Sequence, residues 1–217
     1  MSVGLDTTGF IMCIISWLVN GAALSNDYWK ISSVSGNVIT SQRVFENLWH
    51  SCAENAAGLS ECKDFQTLLN LPVHVQACRA LMIICLLLGF GSMITSLFGL
   101  SCIKVGSADD QTKGKLAGAG GIMSILAGLC CLTACSWYAY RVVQDFYSPV
   151  SLGMKFELGT GLFLGWAGAV LAILGGAFLC CAFGKASSKA KKGGFYGQAP
   201  QKIYTAKSEA ETARAYV

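Results

Sequence analysis

The residues best placed for covalent chemistry are Cys52 and Cys62. Both lie in a long polar segment between the first two apolar runs, and an oxidising exterior would join them as a disulfide. Cys78 stands beside the second apolar run and reads as a packing residue. Most of the other cysteines, of 11 in all, sit inside apolar runs, where Cys behaves as a small hydrophobe. Cys102, Cys180 and Cys181 stand near the ends of such runs. Thiols next to a membrane are open to S-palmitoylation, and the same residues can simply finish a span. No nucleophile stands with a base, and no group of metal ligands forms. Neither enzymatic activity, a cofactor, a metal nor a nucleic-acid partner is expected.

The elements that must position these residues are membrane spans. The chain has 217 residues, 53% hydrophobic and only 13% charged, against about 25% charged in a soluble domain. Apolar runs cover 8–24, 80–103, 116–140 and 158–183. A spanning helix needs roughly 20 apolar residues; the last three runs qualify and carry no Asp, Glu, Lys or Arg. The first is shorter and contains Asn20. It reads as a retained span rather than a signal peptide, because no Lys or Arg precedes it. With no ionisable group at membrane depth, a pump or transporter is not expected.

Basic residues mark the cytosolic side. Lys104, Lys113 and Lys115 fall between the second and third runs, and Lys185, Lys189, Lys191 and Lys192 follow the fourth. The segment 25–79 is acidic up to Cys78, with Lys30, Arg43 and Lys63 against Asp27, Glu46, Glu54, Glu61 and Asp64. It is therefore the first outer loop, 141–157 is the second, and both termini are cytosolic. Glycines punctuate the last two runs, and Gly161, Gly165 and Gly168 share a helix face. Small residues let helices approach closely, which suits a compact left-handed four-helix bundle or, alternatively, a dimer contact.

The first outer loop alternates in the manner of strands. Trp29, Ile31 and Ser33 oppose Lys30 and Ser32; Ser35-Gly36-Asn37 is a turn signal; Val38-Ile39-Thr40 restarts a β-rich run. One strand pattern is read over 44–52, and Gly58 marks a hairpin turn between the two cysteines. Residues 66–71 suit a short helical turn before Pro72. A sheet this small has too little core to hold alone, so the Cys52–Cys62 staple matters.

Trp29, Asn47-Leu48-Trp49, Cys52 and Cys62 resemble the W…LW-x-x-C…C signature of the claudins. Gly36 to Thr40, Phe45 to Trp49, Gln76 to Met82 with Arg79 at its centre, Ser136 to Ala139 and Glu157-Leu158-Gly159 are similar to claudin segments in the same order. The resemblance covers residues 1 to about 184, and the ending Tyr216-Val217 fits as well. Asn47, where the family more often has Gly, resembles the subgroup of claudin-ten and claudin-fifteen.

The resemblance implies a membrane α fold carrying a small extracellular antiparallel sheet, with four strands from the first outer loop and one from the second. It implies a plasma-membrane protein of tight junctions. Such proteins polymerise with other claudins in the same membrane and across the cell gap, and form a paracellular barrier and ion pore. Trp29, Leu48 and Trp49 would sit half in lipid headgroups and half in the sheet base, an arrangement that includes ordinary strand core. In pore-forming members a carboxylate between or just after the paired cysteines sets cation preference, since fixed negative charge in a confined channel attracts cations.

Here Asn55 stands where an Asp is typical, with Glu54 beside it, and Asp64 matches a second acidic position. Phe65 adds an aromatic face, while Lys63 opposes cation preference. A cation-preferring pore is expected ahead of an anion pore or a pure barrier, although each charge taken alone also suits a solvated loop face. Phe146, Tyr147 and Glu157, with an apolar partner near Leu68, resemble a strand-contact surface; burial of Phe146 and Tyr147 under the sheet is the alternative. Residues 184–217 are polar, basic and Gly-rich, so a disordered tail that favours anionic inner-leaflet lipid is expected. Its apolar C-terminal Val217 suits a PDZ groove, which in a claudin-like chain implies zonula occludens scaffolds. A tetraspan accessory subunit of a channel or receptor is the rival reading. The first outer loop lacks the glycosylation sequons common in such relatives.

Overall fold

The computed structural model describes residues 3–33, 43–55, 57–65, 71–100, 110–147 and 155–196. Helix α1 covers Val3–Ser25. Strands β1 (Lys30–Ser33), β2 (Arg43–Glu46), β3 (His50–Glu54) and β4 (Ser60–Asp64) follow. Helices α2 (Val73–Gly99) and α3 (Asp110–Tyr147), strand β5 (Lys155–Leu158) and helix α4 (Thr160–Tyr196) complete the chain. Among the described residues, four helices are long and apolar enough to cross a membrane.

Helices α1 and α2 begin before their expected runs, α3 extends at both ends and α4 at its end, while α2 stops at Gly99, short of the expected 103, and α4 starts at Thr160, after the expected 158, because Leu158 belongs to β5. Charges consequently enter the helices near their ends: Asp6 in α1, Arg79 in α2, Lys113, Lys115, Arg141 and Asp145 in α3. The expectation of charge-free spans holds for the apolar runs and not for the whole helices. Phe146 and Tyr147 close α3 rather than sitting in a loop. Helix α4 reaches Tyr196, past the start of the tail expected from Gly184.

The four helices form a bundle in which α3 packs on α4 and α2, and α1 packs on α4. Close packing depends on small residues. A Cβ on Gly121 would lie 2.7 Å from the Gly176 carbonyl, and one on Gly176 would lie 2.5 Å from the Gly121 carbonyl. The glycine face of α4 is internal too. Gly161 meets Trp29, Gly165 meets Cys135, and Gly168 meets Asn20. These residues pack the bundle, and the dimer-contact alternative is not needed to explain them.

Polar side chains tie the helices together where lipid offers no competing water. Ser16 Oγ donates to the Gly168 carbonyl at 2.8 Å, Ser92 Oγ to Gly120 at 2.7 Å, and Ser124 Oγ to Ala172 at 2.9 Å. Asn20 bridges α1 to Cys131 on α3 through a contact of 3.3 Å.

At one end of the bundle the strands form one antiparallel sheet in the order β4-β3-β2-β1-β5. Four strands come from the first long connection and one from the second. Arg43 to Glu54 is a hairpin, not the single strand that its alternation suggests. Asn47 makes the turn: its Oδ1 accepts the amides of Trp49 at 2.6 Å and His50 at 2.7 Å, and its own amide donates to the His50 carbonyl at 3.0 Å. The β3–β4 turn uses Gly58 at φ 76°, a left-handed conformation that suits Gly. The turn signal at Ser35-Gly36-Asn37, the β-rich run Val38-Ile39-Thr40 and all but Leu71 of the helical turn expected at 66–71 fall outside the described residues.

Candidate functional site: the sheet and its anchor to the bundle

The sheet is fixed to the helices by side chains of the W…LW signature. Trp29 and Leu48 are fully buried, with Cys78, Met82, Cys135, Tyr138 and Leu162 in one core. Burial of each such side chain contributes about 1.5–3 kcal/mol. The Trp29 indole donates to the Ala23 carbonyl at 2.8 Å, and its ring meets Tyr138 edge-on at 5.3 Å. The expected half-lipid setting is therefore wrong for Trp29 and Leu48. A buried indole needs a partner for its N–H, and the end of α1 supplies one. Trp49 alone is partly open, at 39% exposure.

Arg79 supplies the second anchor, across 31 residues of chain. Its Nε donates to the Leu48 carbonyl, and its guanidinium lies 4.9 Å from the Trp49 ring and 5.7 Å from the Phe65 ring. A planar cation between two rings combines a charge-assisted hydrogen bond with cation–π attraction. Phe65 belongs to this clamp and is half-buried. Its contact with Arg79 gives the ring an anchoring role beside the expected one as an aromatic face for cations.

Cys52 and Cys62 form the expected disulfide, joining β3 to β4 at directly paired positions. Cys52 is buried while Cys62 is exposed.

The pairing sorts the charges by face, because paired residues in neighbouring strands point the same way. His50 faces Asp64, Cys52 faces Cys62 and Glu54 faces Ser60, so His50, Glu54 and Asp64 share the disulfide face. Arg43, opposite Glu54, belongs to it as well. Lys63 and Glu61 pair with Ser51 and Ala53 and point the other way. The neighbour that seemed to oppose Asp64 in sequence is thus on the opposite side. Among the described residues, an ion pair joins Lys30 to Glu46 at 3.5 Å, and Asp27 Oδ1 lies 3.0 Å from His50 Nε2; Glu54 and Asp64 belong to neither contact. Asn55 is exposed in the β3–β4 turn, with its amide donating to the Leu59 carbonyl at 3.0 Å.

A polar cluster that the sequence reading missed lies beside the turn at Asn47. Asp27 Oδ1 accepts from Asn47 Nδ2 at 3.0 Å and lies 3.0 Å from His50 Nε2. Asn47 and His50 flank one turn while Asp27 lies 20 residues before Asn47, and no local motif announces the cluster. His50 also places a ring nitrogen within 4.8 Å of the Cys52 and Cys62 sulfurs. Those sulfurs are bonded to each other and are not thiolates, so this is not a metal centre.

Phe146 and Tyr147 stack edge-on at 5.4 Å at the end of α3. Tyr147 is 79% exposed, which excludes its burial under the sheet, while Phe146 is half-buried. With Val142, Val143, Phe156, Glu157 and Leu158 they line an open groove between α3 and β5. Leu68, its expected apolar partner, lies outside the described residues, as do Cys102, Tyr216 and Val217. Cys180 is half-buried and Cys181 is exposed on α4.

The chain matches the PMP-22/EMP/MP20/Claudin family over residues 3–179. It is 45% identical to mouse claudin-15 over 89% of this chain and 86% of that protein. Human claudin-19 is 44% identical over 82% of this chain and 80% of that protein, and rat claudin-7 is 41% identical over 86% and 90% respectively. The four apolar helices, the anchored five-stranded sheet, the Cys52–Cys62 bridge and these relatives agree, and the chain belongs to the PMP-22/EMP/MP20/Claudin family.

Proposed function

We propose that this protein is a tight-junction structural protein of the plasma membrane, rather than an enzyme. In this reading the sheet faces outside and both termini face the cytosol. The ends of α3 and α4 that carry the basic residues lie opposite the sheet, which supports the orientation. Copies polymerise into strands in cis and trans, with the open groove at Phe146, Tyr147 and Glu157 as a contact surface for Leu68. The Tyr216-Val217 ending engages PDZ scaffolds of the zonula occludens type, and Cys102, Cys180 and Cys181 are candidates for palmitoylation.

The finer proposal is a paracellular pore that prefers cations. One observation carries it: Glu54 and Asp64 share a sheet face with Arg43, and Lys63 points away from that face. Carboxylates on one wall of a narrow aqueous path enrich cations and deplete anions. Expression in junction-poor epithelial cells tests both levels. Strands at cell contacts with a Na⁺/Cl⁻ permeability ratio above one are expected. Absence of strands would overturn the junction reading, and strands with a ratio at or below one would overturn the cation pore alone.

A further inference from the structure

We infer that Arg43 is a further selectivity-determining residue of this face: it masks Glu54 and leaves Asp64 as the carboxylate that sets cation preference. The inference rests on the pore reading above and deepens it. Arginine carries a fixed positive charge. The register puts Arg43 of β2 directly opposite Glu54 of β3, and both point to the disulfide face. Arg43 is exposed and Glu54 half-buried, so both charges stand at the surface of the wall. Residues directly opposite in an antiparallel pair have Cβ atoms about 5 Å apart, and opposite charges there attract. An ion passing this point meets a carboxylate and a guanidinium together, and their fields largely cancel.

The strand pairs divide the face into rows. Ser60, Glu54 and Arg43 form the row next to the β3–β4 turn. Cys62, Cys52 and Phe45 form the next, and Cys52 and Phe45 are buried. Asp64 and His50 form the third. Asp64 is exposed on β4, and its ladder partner is neither Lys nor Arg.

Distance decides which carboxylate Arg43 answers. Asp64 lies two strands and four residues away from it, about 16 Å at ordinary strand spacings. That is about twice the Debye length at physiological salt, so the field of Arg43 is largely screened out at Asp64. The register also places Lys155 on this face. Ile31 pairs with both Phe45 and Glu157, which puts Glu157 and Lys155 of β5 on the disulfide side. Lys155 stands on the far edge strand, three strands from β3, with Nζ 4.9 Å from the Phe146 ring. Glu157 accompanies it there. Arg43 is therefore the cation that faces Glu54, and removing its charge gives the wall a second cation-attracting row.

Dilution potentials across junction-poor epithelial monolayers expressing the full chain test this. Arg43→Gln should raise the Na⁺/Cl⁻ ratio about two-fold, the effect of one unit charge about 10 Å from the ion path with partial screening. Arg43→Lys, which keeps the charge on a different head group, should restore the wild-type ratio. Arg43→Gln combined with Glu54→Gln should also return to about the wild-type ratio, because the two opposed charges leave together. Strands at contacts, checked for each variant, show that the protein is delivered. If Arg43→Gln forms none, Arg43→Thr, whose β-branched side chain suits a strand, replaces it under the same criteria. A wild type without cation preference overturns the pore reading itself. A cation-preferring wild type whose ratio is unchanged by Arg43→Gln overturns the role of Arg43. A ratio in Arg43→Lys as high as in Arg43→Gln assigns the effect to side-chain shape and overturns it as well. A combined variant that keeps the raised ratio shows that Glu54 is not the masked group, which overturns the inference.

Discussion

Arg79 donates its Nε–H to the carbonyl of Leu48, so the first turns of α2 hold the turn that joins β2 to β3. The same guanidinium lies against Trp49 and Phe65. A carbonyl in a tight turn beside a fully buried side chain has few alternative donors, which makes this bond costly to lose.

Arg79→Ala should therefore destabilise the protein by about 2–4 kcal/mol, combining an orphaned buried acceptor with lost stacking. Arg79→Lys should recover less than half, because an ammonium cannot match the planar fork. Thermal unfolding in detergent measures both. Equal stability of Arg79→Ala and wild type would contradict the anchor.

Asn47 satisfies two backbone amides and donates to Asp27. Asn47→Ala should cost about 2–3 kcal/mol. Asn47→Asp keeps the acceptor but sets two carboxylates together, so its deficit should shrink as pH falls and the pair takes up a proton. A deficit independent of pH would show that repulsion with Asp27 is not the cause.

The Cys52–Cys62 bridge closes a loop with a sequence separation of 10. Loop-closure entropy puts its contribution at about 2.5–3 kcal/mol. Cys52→Ser with Cys62→Ser should lower the unfolding midpoint in non-reducing conditions, and reductant should lower the wild type to match. A double variant as stable as the oxidised wild type would contradict this.

Gly121 and Gly176 bring α3 and α4 together. Gly121→Ala should destabilise by about 1–3 kcal/mol through overpacking. Gly184→Ala, at a helical position with nothing within 4 Å of the added methyl, should be neutral or stabilising by up to about 1 kcal/mol. Reversal of that order in detergent melts would refute the internal role of these small residues.

The four spans were readable because lipid imposes a long apolar stretch on each. The five-stranded sheet and its disulfide followed from the cysteine spacing and the claudin resemblance. The hairpin at Asn47 was not readable. Alternation continues through Asn47-Leu48-Trp49, and what breaks the strand is a side chain accepting the Trp49 and His50 amides. Strand pairing was equally hidden. Lys63 and Asp64 fall on opposite faces by strand alternation alone, but only the register with Ser51 and His50 shows which other charges share each face. The Asp27–His50 pair spans 23 residues and leaves no local signal. The anchoring of Leu48 by Arg79 was similarly out of reach, although both residues stood out as signature positions.

The facing of Asp64 and Lys63 gives the most direct test of the central claim, that one face of the sheet lines a cation path. Dilution potentials should be compared for wild type, Asp64→Asn and Lys63→Gln in the same junction-poor epithelial cells. The account predicts a clear fall in the Na⁺/Cl⁻ ratio for Asp64→Asn and no change for Lys63→Gln. Equal effects of the two substitutions, or an unchanged ratio in Asp64→Asn, would contradict it.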